Sequence, residues 1–234
     1  MQAEHADSNA ILRYLSSTDR ELLGPSLEPI DLPVRFRLAE ANRHIDAVYF
    51  LEAGIASITT SVRHETPIEI GIVGREGVVN LPALIGIDRS PSETFMQIHG
   101  EGFRIGVARL REAMAHSPTL MPILLRFVHV YMVQTASTVL ANGRAHIPER
   151  LARWLLMAGD RVDGSGIELT HEFLATMLGV RRPGVTSAIR EFERQGLIDG
   201  GRGVITLLDR SALETAANGY YGIAEAEYKR LFAS

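Results

Sequence analysis

The rhythm of apolar and polar positions changes three times along the chain. From about Leu27 to Arg109 the apolar residues come in short runs between turns. "AVYFL" (47–51), "GIASITTSV" (54–62) and "PIEIGIV" (67–73) are β-branched or aromatic runs bounded by Gly, Pro and charged residues, which predicts strands. "TFMQIHG" and "GFRIGV" continue the pattern to Val107. Closely spaced short strands predict a barrel- or sandwich-like β-domain. "NAILRYLSSTDRELLG" before them reads as a short helix with Gly24 as its C-cap.

Between Pro118 and Asn142 the period becomes helical, and Arg126 is the one formally charged residue. One apolar stripe is Leu125, Val128, Met132, Thr135 and Val139; a second is Leu124, Phe127 and Tyr131, followed by Gln134 and Thr138. Spacings of three and four put each stripe on its own face, and a helix apolar on two faces must bury both. One face can dock on the β-domain. The other needs a second partner, and the same helix of another subunit is the simplest. On that reading Leu124, Val128, Tyr131, Met132, Thr135 and Val139 form a dimer interface; burial within one subunit is the alternative. The run from Leu120 to Ala141 is also long enough to cross a bilayer, but Arg126, His129 and Gln134 argue against a membrane span.

Then "IPERLARWLLMAGDRV" (147–162) reads as an amphipathic helix with Leu151, Trp154, Leu155 and Met157 inward. Thr170 is a good N-cap for "HEFLATMLG", which Gly179 ends. A second helix starts near Arg181, with Pro183 and Gly184 in its first turn. Proline costs little there, because first-turn N–H groups have no intrahelical partner. Gly184, lacking a side chain, lets its backbone approach something closely. Val185, Ala188, Ile189 and Phe192 make the apolar side. Pro183, Thr186, Ser187, Arg190 and Arg194 lie opposite, with Arg182 at the flank. Two helices across a glycine turn, the second small, polar and basic outside, predict a helix-turn-helix. "GLIDGGRGVITLL" adds a hairpin, a wing with Arg202 at its tip.

Composition narrows the chemistry. The 234 residues carry a net charge of −4, so a globally basic nucleic-acid binder is not indicated, yet residues 179–202 hold five arginines against three acids. There is no cysteine, which removes disulfides, thiolate catalysis and cysteine-held metals. Lys229 is the sole lysine. The N-terminus has no basic, apolar leader, and a cytoplasmic location is expected.

The stretch "LTHEFLATMLGVRRPGVTSAIREFERQGLI" with "GRGVITLLDRSAL" resembles the winged helix of the Crp–Fnr superfamily of bacterial transcription regulators. "YFLEAGIASI" and "GIVGREGVVNLPALIG" resemble that family's cyclic-nucleotide-binding-type β-roll, and residues 118–142 its dimerisation helix. The resemblance implies an α+β chain: a β-roll (double-stranded β-helix) over 1–115, a long dimerisation helix and hinge over 116–145, and a winged helix-turn-helix over 146–234. It also implies a homodimer on a two-fold symmetric DNA operator, RNA polymerase as a partner, and no catalytic residues. Thr170, Arg181, Arg182, Pro183, Gly184, Thr186, Ser187, Arg190 and Arg202 are the expected DNA contacts.

The departures matter. In cyclic-AMP-responsive members a glutamate holds the ribose; here Gly74-Arg75-Glu76-Gly77 puts Arg75 at that place. Where the phosphate would sit, Ser92-Glu93 offers a repulsive carboxylate. The pocket expected from Gly74, Arg75, Glu76, Gly77, Ser92 and Glu93 should therefore not take cyclic AMP in the usual way, and its effector is unassigned. In the second helix Pro183 and Ser187 replace a base-reading glutamate and arginine, so the usual half-site is not expected. No cofactor is implied. A cupin-like metal enzyme is the competing class, but no His-x-His occurs, and His44, His64 and His99 lack ligand spacing. A regulator without a small ligand is the other.

Overall fold

The computed structural model describes residues 8–62, 65–162, 164, 166–201 and 203–232. Helices α1 (Ala10–Tyr14) and α2 (Ser17–Leu23) open the chain where one helix was expected. Each has its own cap: the Asn9 side chain accepts from the Leu12 N–H, and the Ser16 hydroxyl from the Asp19 N–H. Strands β1 (Glu28–Leu32), β2 (Arg37–Ala39), β3 (Ala47–Leu51), β4 (Ile55–Thr60), β5 (Ile68–Val73), β6 (Val78–Val79), β7 (Glu93–Ile98) and β8 (Gly100–Gly106) follow. They form two four-stranded sheets, β1-β8-β3-β6 and β2-β7-β4-β5. Strand β3 is buried at every position, as an uninterrupted apolar run requires, and runs antiparallel to β8 and β6.

Helices α3 (Val107–His116) and α4 (Leu120–Arg144) come next, then α5 (Ile147–Gly159), β9 (Gly166–Glu168), α6 (His171–Leu178), α7 (Arg182–Arg194), β10 (Ile198–Gly201), β11 (Val204–Leu207), α8 (Arg210–Ala216) and α9 (Ile223–Phe232). Strands β10, β11 and β9 make a three-stranded antiparallel sheet, so the expected wing hairpin has a third strand. The fold is α+β, with an N-terminal β-sheet region, a long helix and a C-terminal helix-turn-helix.

Contacts divide the described residues into two compact units: 8–58, 72–131 and 231–232 in one, 59–71 and 132–230 in the other. Strands β4 and β5 and helices α4 and α9 contribute residues to both.

In the first unit the start of α4 is fastened by a buried carboxylate. Asp19 accepts hydrogen bonds from the Ser16 hydroxyl at 2.8 Å, the Thr119 hydroxyl at 2.6 Å and the Ser117 hydroxyl. The Ser117 oxygen in turn accepts from the Leu120 N–H at 3.0 Å. Burial pushes the Asp19 pKa up, but the hydroxyls of Ser117, Thr119 and Ser16 together draw it below the ordinary aspartate value.

The buried stripe of α4 matches the expected one at Leu124, Phe127 and Gln134 and differs by one position at Val130 and Ser137. Leu120, Leu124, Phe127, Val130, Gln134, Ser137 and Ala141 are buried. Met132 (64% exposed) and Val139 (67%) are uncovered, while Leu125, Val128, Tyr131 and Thr135 are intermediate. Leu124 is fully buried within the chain. A side chain already covered cannot meet a partner subunit, so Leu124 leaves the expected dimer interface.

In the second unit, α5 buries Leu151, Trp154, Leu155 and Met157 as expected, but its polar side is covered too: every residue from Leu151 to Ala158 is buried, Arg153 included. Helices α6, α7 and α8 all pack on it. Arg153 is satisfied by carbonyls and a hydroxyl, donating to Tyr220 O at 3.1 Å, Thr138 Oγ1 at 3.1 Å and Gln134 O at 3.4 Å. Trp154 Nε1 donates to the buried Glu69 carboxylate at 2.7 Å. A cavity of about 20 Å³ is lined by Glu69, Arg150, Arg153 and Trp154 among others, room for a single water.

Candidate nucleic-acid interface

Two short helices meet across one glycine. Thr170 caps α6, its hydroxyl accepting from the Phe173 N–H at 3.1 Å. Gly179 ends that helix at φ +59°, a left-handed conformation in which glycine avoids the Cβ clash. Arg181 then occupies the N-cap of α7, and Pro183 falls in the first turn. Val185, Ala188, Ile189 and Phe192 are buried, which fixes the face that α7 turns inward. Arg181, Arg182, Pro183, Ser187, Arg190 and Arg194 are exposed, and Gly184 and Thr186 are half-buried. Arg182, Thr186 and Arg190 are spaced by four and so stand in line along one face. Arg202 lies outside the described residues, between Gly201 at the end of β10 and Gly203 at φ +85°.

Several partners of these residues had no signal in the periodicity. His171 Nδ1 lies 3.2 Å from the Thr186 hydroxyl, a bond across the turn from the first residue of α6. Glu172 stands 3.7 Å from the Arg182 Nε, both largely exposed. At the far end, hydrogen bonds from Arg194 and Gln195 hold the Glu191 carboxyl down to about 2, so Arg194 is occupied by its own helix. Gly184 has a neighbour inside the fold: a Cβ there would come 2.6 Å from Ile147 Cδ1. The close approach read from the sequence is thus made by Ile147 of α5. Glu172 and Arg182 sit on different helices, outside the three- and four-residue spacings of helical ion pairs, so that pair, like Ile147 and His171, needed the tertiary structure.

The expected effector residues are engaged differently. Glu76 folds back on its turn and accepts the Gly74 N–H at 3.1 and 3.2 Å. The Arg75 carbonyl accepts from Ala10 N at 2.7 Å, and the Gly77 carbonyl from Asn9 Nδ2 at 2.8 Å. A Cβ on Gly77 would overlap the Phe127 ring of α4. The turn is therefore bound by α1 and α4. Ser92 N donates to Ser90 Oγ at 3.1 Å, and Glu93 pairs with Arg37 at 3.4 Å. Among the described residues no three His, Asp or Glu side chains gather as metal ligands. His44 faces Asp46 and Asp88, and His99 bonds Asp31 at 2.9 Å; His64 lies outside the described residues.

Comparison with known proteins agrees with this geometry. Residues 149–216 match the Crp-like helix-turn-helix domain. The HTH-type transcriptional regulator Cmr of Mycobacterium tuberculosis is 38% identical over 71 residues, which is 30% of this chain and 28% of that protein. This chain thus aligns with under a third of that relative's length. The structure of FixK2 from Bradyrhizobium japonicum superposes with a TM-score of 0.71 at 15% identity, over 81% of this chain and 96% of that one. A Crp/Fnr-family transcriptional regulator from Thermus thermophilus gives 0.67 at 19% identity, over 82% and 100%.

Proposed function

We propose that this chain, whose residues 149–216 match the Crp-like helix-turn-helix domain, is a homodimeric, sequence-specific transcription regulator of the Crp–Fnr superfamily. One observation carries this reading. Helix α7 turns Arg182 and Arg190 outward, with the half-buried Thr186 in line between them, beside a three-stranded wing. A major groove admits such a helix, and its N-terminal residues meet base edges. Arg182 reads guanine; Pro183, with no side-chain donor or acceptor, meets a thymine methyl or leaves its base unread. Thr170, Arg181, Ser187, Arg190 and Arg202 contact phosphate or sugar. The stripe of half-buried Val128 with exposed Met132 and Val139 pairs with its copy, giving a two-fold symmetric operator. RNA polymerase is the partner and the cytoplasm the location that follow from this role.

A second reading concerns control. In the 74–77 turn the Gly74 N–H and the Arg75 and Gly77 carbonyls are taken by Glu76, Ala10 and Asn9, which favours a regulator with no small ligand at that turn. Cyclic AMP in particular would meet Arg75 and Glu93. The Arg182 assignment is tested by measuring R182A on an enriched operator and on random duplex across salt concentrations. Loss of about 1–3 kcal/mol on the operator alone is expected. Equal loss on both would make Arg182 a phosphate contact. Thermal shift with cyclic AMP should show no stabilisation; a clear rise would restore the pocket.

A further inference from the structure

We propose that His171 is a positioning residue that sets base preference: its Nδ1, 3.2 Å from the Thr186 hydroxyl, decides whether Thr186 presents a donor or an acceptor to DNA. This rests on α7 being the base-reading helix, as proposed above.

Thr186 is the middle residue of the line Arg182, Thr186, Arg190, one turn beyond Arg182. A threonine hydroxyl has one hydrogen and two lone pairs, so a bond made on one side fixes what is left on the other. With both ring nitrogens of His171 protonated, Nδ1–H donates to Thr186 Oγ1. The threonine hydrogen is then free to point outward. It suits acceptors in the groove: N7 or O6 of guanine, N7 of adenine, O4 of thymine. In the neutral ring whose Nε2 carries the proton, Nδ1 accepts the threonine hydrogen. Thr186 then has only lone pairs to offer, which suit the amino groups of cytosine or adenine. No proton is lost from Thr186; only the direction of one hydrogen bond reverses.

Free imidazole changes its charge between pH 5 and 8, and the two conditions of the test below are set on either side of that range. The surrounding charges belong to four elements. Glu172 follows His171 on α6 and stands against Arg182 of α7. Arg190 lies one turn past Thr186 on α7, and Glu168 ends β9 before the helix. On α5, Arg150 donates to the Leu178 carbonyl at the opposite end of α6. None of these is shown bonding the Thr186 hydroxyl, which leaves His171 as its described partner across the turn.

A protonated His171 also adds a positive charge beside DNA, which strengthens binding to every sequence alike. Base preference, a ratio of affinities, separates the two effects. The full chain is used to select from duplexes with a randomised centre at pH 5.5 and at pH 8.0. Relative affinities of the selected duplexes are then measured by fluorescence anisotropy, with circular dichroism to verify folding. At one position in each half-site, next to the guanine read by Arg182, preference should move from acceptor-presenting to amino-presenting bases. The expected change is about five-fold in relative affinity, the equivalent of one neutral hydrogen bond. H171Q keeps a hydrogen-bonding group that does not titrate, so its preference should be the same at both pH values. T186S keeps the hydroxyl and should keep the shift; T186V should abolish the preference at that position. A wild-type preference independent of pH, or a shift that persists in H171Q, overturns the proposal. If the wild type enriches no sequence at either pH, the reading of α7 as a base-reading helix fails as well.

Discussion

G184A separates two explanations of one glycine. Read from the sequence, Gly184 lets the backbone approach DNA. In the structure it makes room for Ile147, whose Cδ1 would lie 2.6 Å from the new Cβ while the next atom, Cγ1, is 4.0 Å away. An ordinary carbon–carbon contact is about 3.5–4.0 Å, so the Ile147 terminal methyl must move by about 1 Å. It sits at the end of its side chain, and an off-rotamer turn costs about 0.5–1.5 kcal/mol. Against this, alanine favours a helix over glycine by up to about 1 kcal/mol. The single substitution should therefore change stability by less than about 1 kcal/mol. I147V deletes Cδ1 and costs about 0.5–1.5 kcal/mol by itself. In that background the clash is gone and G184A should stabilise by about 0.5–1 kcal/mol. The two changes should couple by roughly 0.5–1.5 kcal/mol in a double-mutant cycle. Urea unfolding of the four proteins, at fixed concentration and followed by circular dichroism, measures the coupling. Anisotropy on random duplex measures DNA affinity, which should stay constant across the cycle. Additive stabilities together with a loss of DNA affinity wherever alanine is present would refute the packing explanation.

E172Q should tighten DNA binding by about two- to five-fold, because an exposed ion pair is worth at most about 1 kcal/mol and its removal frees Arg182 and takes a carboxylate away from phosphates. Weaker binding of E172Q would instead make Glu172 a DNA contact. M132D should give folded monomers by sedimentation, since Met132 is exposed, whereas L124A should lower stability by about 2–5 kcal/mol because Leu124 is buried in the chain. D19N should destabilise the first unit by about 2 kcal/mol at neutral pH, because the amide nitrogen cannot accept: in place of Oδ2 it loses the bonds from Ser16 and Thr119, and in place of Oδ1 the bond from Ser117. The folded pKa of Asp19 lies below its ordinary value of 3.8, so its contribution is present above pH 3.8 and is lost as pH falls through the folded value. Stability of the wild type and D19N should therefore converge in acid.

The helix-turn-helix was legible because each of its signals is local. Thr170 accepts an N–H three residues on, Gly179 needs a positive φ, and Pro183 needs a first turn. The buried strand β3 was legible as an unbroken apolar run. What escaped was set by neighbours distant in sequence. Strand β9 is three residues long, too short to show alternation, and exists through its pairing with β11. Helix α5 reads as amphipathic because Arg153 and Arg150 are charged, yet Arg153 is buried among backbone carbonyls. The buried α4 stripe keeps Leu124, Phe127 and Gln134 but runs through Val130 and Ser137 where Tyr131 and Thr138 were expected, because a helix apolar on two faces gives little polar contrast to fix its rotation. For the expected pocket, the 74–77 motif was visible, but Asn9 and Phe127, which occupy its surroundings, come from elsewhere in the chain.

The bond between Trp154 and Glu69 has a spectroscopic consequence. The chain contains one tryptophan, so its long-wavelength fluorescence comes from a single indole. That indole is buried and donates to a carboxylate contributed by β5, inside the unit that also holds α6 and α7. Any event that draws Glu69 away from Trp154 changes the polarity around one fluorophore and shifts its emission. The protein thus carries an intrinsic, label-free probe at residue 154. Titrating DNA or a small molecule into the native chain reads out whether strand β5 and helix α5 stay joined.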